Sequence, residues 1–131
     1  MLPIILDLHL YNMVLVLATS VITGIWGLIL YFQKRESINQ PWKIALIVTA
    51  ADGLLQGLLG VILVLSGQKP GGGSLYYLHY VYGAIVLLAI PVAYTYVGKN
   101  VRRTILILSI AALIIAAAGA RGMMTGLGIG S

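Results

Sequence analysis

Four long apolar runs, each separated from the next by a short polar or glycine-rich stretch, restrict this chain more than anything else in it. About 20 apolar residues in a helix cross the roughly 30 Å hydrocarbon core of a bilayer, and in lipid only a segment that satisfies its own backbone amides persists. The spacing predicts helices over about 3–32, 41–66, 75–97 and 101–120. The expected fold is therefore all-α, an integral membrane four-helix bundle running up-down-up-down, as a single domain over residues 1–131. Composition supports this, because 60% of residues are hydrophobic and only 8% charged, too few charges to solvate a water-soluble domain of this size.

Punctuation within the sequence agrees with those limits. Pro3 suits a first turn, where the amide it lacks has no partner. The linker QKRESINQPWK, residues 33–43, is the most polar stretch, and GQKPGGGS, residues 67–74, favours a turn. Pro91 inside the third segment predicts a kink, and the tail GMMTGLGIGS is expected to fray. The N-terminal run has no basic leader and no small-residue cleavage site close behind it, so it reads as a retained helix.

The net charge of +5 reads as topology. Lys34, Arg35, Lys43, Lys99, Arg102 and Arg103 fall in or beside the first and third linkers, whereas Lys69 and Arg121 lie at the other end. Six cations against two place both termini on the non-cytoplasmic side of the cell membrane by the positive-inside rule. No aromatic-basic stripe offers a nucleic acid a surface. Trp42 and the tyrosines Tyr76, Tyr77, Tyr80 and Tyr82 are expected in opposite interfacial belts. Because the chain has no cysteine, disulfides, thiolate metal sites and covalent heme attachment are all excluded.

The two histidines, His9 and His79, stand at the heads of the first and third segments. Those segments run in the same direction, so both imidazoles enter from one face. His9 falls about 9 Å along its helix and His79 about 7 Å along its own, which is the same level within a turn. Residues at helical spacing from His9 are Met13, Val16, Ser20, Gly24 and Gly27, a mostly small stripe that faces other helices. One iron with two axial imidazoles fits that placement. The alternative is that each is a hydrogen-bonded structural histidine. Zinc is disfavoured, since it wants three or four protein ligands and only Asp7 is near. No serine has an acid and a histidine to complete a triad.

The second segment carries Gln56, Gly57 and Gly60 at the depth of the histidines, and the fourth reaches it at Ala116, Ala117 and Ala120. Small residues on both flanks predict a slot there, with Gly83, one turn after His79, leaving room for a planar ligand. The competing reading is that Gly53, Gly57 and Gly60 only allow close helix packing. Arg121 is the cation placed to meet a heme propionate, with Tyr76 and Tyr77 behind it; its other reading is an interfacial cap. Asp52, near mid-bilayer, either relays protons, binds a quinone or an ion, or links two helices.

The pairing of His9 and His79 in alternate helices near one face, with the stretch H-Y-V-Y-G from His79 to Gly83, resembles membrane b-type cytochromes built on four-helix bundles. The likeness is to one half of heme A synthase and, more loosely, to di-heme cytochrome b and ferric reductase groups. It implies that His9 and His79 are axial ligands of a noncovalent heme b. It also implies electron transfer with a quinol or a partner subunit, in a homo-oligomer or a larger membrane complex. Two other classes stand beside it: a structural accessory subunit, and a small proton-coupled transporter using Asp52.

Overall fold

The computed structural model describes residues 2–67 and 77–126. Four helices make up nearly all of it: α1 (Leu2–Phe32), α2 (Gln40–Leu65), α3 (Tyr77–Tyr94) and α4 (Val101–Gly126). All four are long and apolar enough to cross a membrane. The chain is an all-α four-helix bundle, and a lipid bilayer is the environment those helices require.

Local chemistry sets the helix ends. Tyr31 and Leu30 carbonyls accept from Lys34 N and Arg35 N at 3.1 and 3.5 Å, and Lys34 turns left-handed at φ 57°, which closes α1. Helix α2 opens on Asn39, whose Oδ1 accepts from Trp42 N at 3.2 Å, with Pro41 in its first turn. Asn100 Oδ1 does the same for Arg103 N at 3.0 Å at the head of α4. Helix α3 stops at Tyr94, three residues before the expected Val97, and its last amides fold into tight turns from Thr95 N to Val92 O and Tyr96 N to Ala93 O. The first two residues expected in that helix, 75 and 76, lie outside the described residues. Helix α4 runs on to Gly126 where fraying was expected after Ala120, because its last turns are packed: Gly122 is buried against α3, and Arg121 lies over Tyr82.

Neighbours in sequence are neighbours in space. Pairs along α1 and α2 run in opposite order, with Asn12 against Gln56, Thr23 against Thr49 and Gly27 beside Trp42, so the two helices are antiparallel. Met13 meets Gly119, and Gly24 meets Leu113, so α1 and α4 are antiparallel too. His79 meets Gly122 and Val86 meets Gly119, which makes α3 antiparallel to α4 and hence parallel to α1. Helices α1 and α3 sit on a diagonal without backbone contact, and α2 with α3 is the loosest adjacent pair.

The mainly apolar interior also takes in polar side chains. Leu15, Ile22, Ile44 and Leu58 are exposed on the rim, where acyl chains solvate them, while Ser20, Thr23, Thr49 and Ser109 are fully buried. Thr23 and Thr49 hydroxyls pair at 3.0 Å, and Thr49 Oγ1 donates onward to Ala45 O at 2.8 Å. Trp42 is not an interfacial anchor: it is fully buried, and its Nε1 donates to Thr23 O at 3.0 Å. Replacing Thr23 by the isosteric valine removes one interhelical bond, and SDS-induced unfolding should register a loss of about 0.5–1.5 kcal/mol.

Candidate functional site

Because α1 and α3 face one another across the diagonal, side chains rather than backbones fill the space between them. His9 and His79 reach into it from opposite walls, with ring centroids 6.0 Å apart and planes inclined by 69°. They lie on a cavity of about 600 Å³ that all four helices line. Gln56, Gly57, Gly60 and Gly83, the residues expected to shape such a slot, all line it.

The histidines are held differently. His79 Nδ1 donates to the Gly122 carbonyl at 2.7 Å, a contact that fixes the proton on Nδ1 and leaves the lone pair of the neutral ring on Nε2. This is the orienting bond that metal-binding histidines commonly make. His9 is held from α2: Gln56 Nε2 lies 3.5 Å from His9 Nε2 and 3.6 Å from Met13 Sδ. The other nitrogen, His9 Nδ1, is buried with no hydrogen-bond partner. A polar atom in that state invites a partner from outside the chain.

Gln56 is the hub of the polar contacts around His9. Its Oε1 accepts from Asn12 Nδ2 at 3.1 Å, and Asn12 Nδ2 also donates to the Asp52 backbone carbonyl at 3.1 Å. The Asp52 carboxylate accepts from Thr19 Oγ1 at 3.4 Å. Asp52 therefore links α1 to α2 one turn below the level of Gln56. Exchanging Gln56 for leucine leaves Asn12 with one acceptor fewer, so the variant should unfold about 1–2 kcal/mol more easily in SDS titrations.

The glycines divide between two tasks. A Cβ on Gly53 would sit 2.8 Å from Val86 O, so this residue brings α2 against the α3 backbone, as the packing reading requires. On Gly60 a Cβ would meet only His9 Cε1 at 3.5 Å, and on Gly83 it would meet nothing within 4 Å. Those two positions leave the cavity its width. Gly57 is intermediate, with Leu87 Cδ1 at 3.1 Å.

Helix α4 lines the cavity through Ala118, Gly119, Gly122 and Met123, so the expectation of Ala116, Ala117 and Ala120 is corrected by part of a turn. Ala117 and Ala120 are exposed instead. Arg121 is not among the lining residues; its guanidinium stands 5.9 Å from the centre of the Tyr82 ring, and Tyr82 does line the cavity. Tyr76 and Lys69 lie outside the described residues. Asn12, Tyr82 and Gly122 have parts in the site that sequence reasoning did not assign. For Asn12 the signal was present, since it is an amide three residues from His9 in an otherwise apolar run.

Among the described residues, no three or more His, Asp or Glu gather at one point. The arrangement can offer two imidazoles to one ion or accept an apolar molecule with a polar centre, and it lacks the ligands for zinc. No protein-family model matches the chain, and no curated protein and no solved structure was found to be similar to it.

Proposed function

We propose that the protein is a membrane b-type cytochrome that holds one noncovalent heme b between His9 and His79. The observation carrying this reading is the approach of these two rings to 6.0 Å across a cavity of about 600 Å³. Two metal–nitrogen bonds of about 2 Å each, with the half-width of each ring added, would separate the centroids of two imidazoles sharing one metal ion by about 6 Å. The cavity volume falls within the range of about 300–1,000 Å³ usual for cofactor and ligand pockets. Its walls are mainly apolar, as a porphyrin face requires.

When bound, the heme would supply a one-electron ferric/ferrous couple. The chain's own residues orient and enclose. Gly122 fixes the His79 tautomer, Gln56, itself held by Met13 Sδ and Asn12, positions His9, and Gly60 and Gly83 would leave a planar group its clearance. Arg121, 5.9 Å from the centre of the Tyr82 ring, would be the cation to neutralise a propionate, with Tyr76 among the tyrosines expected at that rim. With both histidines holding the group, its chemistry would be electron transfer rather than oxygen activation.

One heme near one face cannot carry electrons across the whole membrane. The reading therefore includes a quinol, a second copy or another membrane subunit as electron partner. It places the protein in the cell membrane with both termini on the non-cytoplasmic side, because the linkers joining α1 to α2 and α3 to α4 hold the excess of cations. The test is a reduced-minus-oxidised spectrum of the purified, heme-supplied protein together with a pyridine hemochrome assay. Soret and α bands of low-spin heme b at one heme per chain are expected. A colourless, correctly inserted protein refutes the proposal.

A further inference from the structure

At the opposite end of the bundle from the histidines, α3 is too short for its neighbours. It ends at Tyr94, which lines one cavity with Leu46 and Leu108, so the first turns of α2 and α4 run on past it. Where another turn of α3 would lie, the chain instead folds through Val97, Gly98 and Lys99 to reach α4. Beneath this turn is that cavity, of about 280 Å³, between the heads of α2 and α4 and the end of α3. Its floor is apolar, built from Trp42, Leu46, Tyr94 and Leu108, and Lys43 and Lys99 stand on its walls. No carboxylate lines it. The N-termini of α2 and α4 both open at this end, so two helix dipoles add positive potential to that of the two ammonium groups.

We propose that this cavity is a binding site for one anionic phospholipid. The phosphate sits between Lys43 and Lys99, and one acyl chain runs over Ile38, Tyr94 and Val97, the accessible apolar residues of the lining, in the volume past the end of α3. Several features favour a lipid over a soluble anion. The slot is apolar below its cationic mouth, and it lies where α2, α3 and α4 meet the headgroup layer. A basic pocket between membrane helices is the usual form of such a site. An acyl chain also satisfies the apolar walls without bringing a polar group into the hydrocarbon. This inference is independent of the heme.

Native mass spectrometry of the full chain tests it, with the detergent-solubilised protein mixed with equimolar phosphatidylglycerol and phosphatidylcholine of identical acyl chains. Wild type should retain phosphatidylglycerol over phosphatidylcholine by about thirtyfold, in line with the contribution of two lysines near an anionic headgroup. The double variant Lys43→Gln/Lys99→Gln should reduce that ratio to near one. Both side chains are exposed, so the bundle itself should be unaffected. The control double variant Arg35→Gln/Arg103→Gln, which removes two cations from the same end but not from the cavity, should keep the preference. A wild type without preference overturns the proposal, as does a preference that survives loss of both lysines or is lost equally in the control. Displacement of the lipid by excess inorganic phosphate also overturns it, since that would assign the site to a soluble anion. Heme occupancy is read from the same spectra as a separate mass, so failure of either proposal is recognised separately.

Discussion

Replacing His79 by alanine should leave the purified protein with less than about a tenth of its heme. Loss of an orienting partner alone costs a metal site roughly 10- to 100-fold in affinity, and loss of the ligand itself costs at least as much. Under the proposed heme reading, the substitution would remove one of the two iron-binding imidazoles together with the bond to Gly122 that aligns it. His9→Ala is expected to have the same effect from the other side. Gly83→Phe provides an independent route to the same outcome. A Cβ on Gly83 meets nothing within 4 Å and Gly83 lines the cavity, so the added ring is expected to occupy that space. This variant should lose its heme bands while unfolding in SDS at or above the wild-type midpoint, because it fills apolar space. If Gly83→Phe binds a full complement of heme, the cavity between α1 and α3 is not the cofactor site. If His79→Ala remains coloured with low-spin bands, the ligand assignment is wrong.

The largest loss of stability is expected at Gly27, far from the histidines. A Cβ there would overlap Ser109 Oγ and come within 2.9 Å of Trp42 Nε1, and all three residues are buried. Ser109 cannot easily turn away, because its hydroxyl donates to Ile105 O at 2.6 Å; Trp42 is fixed by its bond to Thr23 O. With neither neighbour able to yield, α1 must separate from α2 and α4. Overpacking of this kind costs about 1–3 kcal/mol, and Gly27→Ala should fall at the upper end in reversible unfolding from mixed micelles. Adding Ser109→Ala should recover part of the loss, and the non-additivity measures the contact directly. Gly98→Ala is the matched control. Nothing lies within 4 Å of a Cβ at that exposed position, so its stability should stay within about 0.5 kcal/mol of wild type.

Much of the bundle was legible in the sequence because hydropathy and length are properties of single segments. The meeting of His9 with His79 was also legible, since it needs only two parallel helices entered from one face and a count of 1.5 Å per residue. The phase of α4 was not. The run AAAGARG, residues 116–122, is small on almost every side, so no contrast between faces marks which residues turn inward. Met13 and Tyr82 decide this by their bulk, packing over Gly119 and Gly122 respectively, and that is a tertiary effect. Trp42 misled for a similar reason. Flanked by Pro41 and Lys43 at a helix head it has the sequence setting of a membrane anchor, and only the nearby Thr23 carbonyl explains why it turns inward. The early end of α3 follows from a chain that must turn to reach α4, and no residue between Tyr94 and Val97 is an obvious helix breaker.

The carbonyl that orients His79 belongs to Gly122, 43 positions later in the chain. A chain that stops before α4 therefore lacks the group that fixes the second imidazole. An unfinished chain carries both histidines yet has only three of the four walls around them. Closure of the space between α1 and α3 therefore waits on α4, which packs against Met13 on one diagonal helix and Val86 on the other through Gly119.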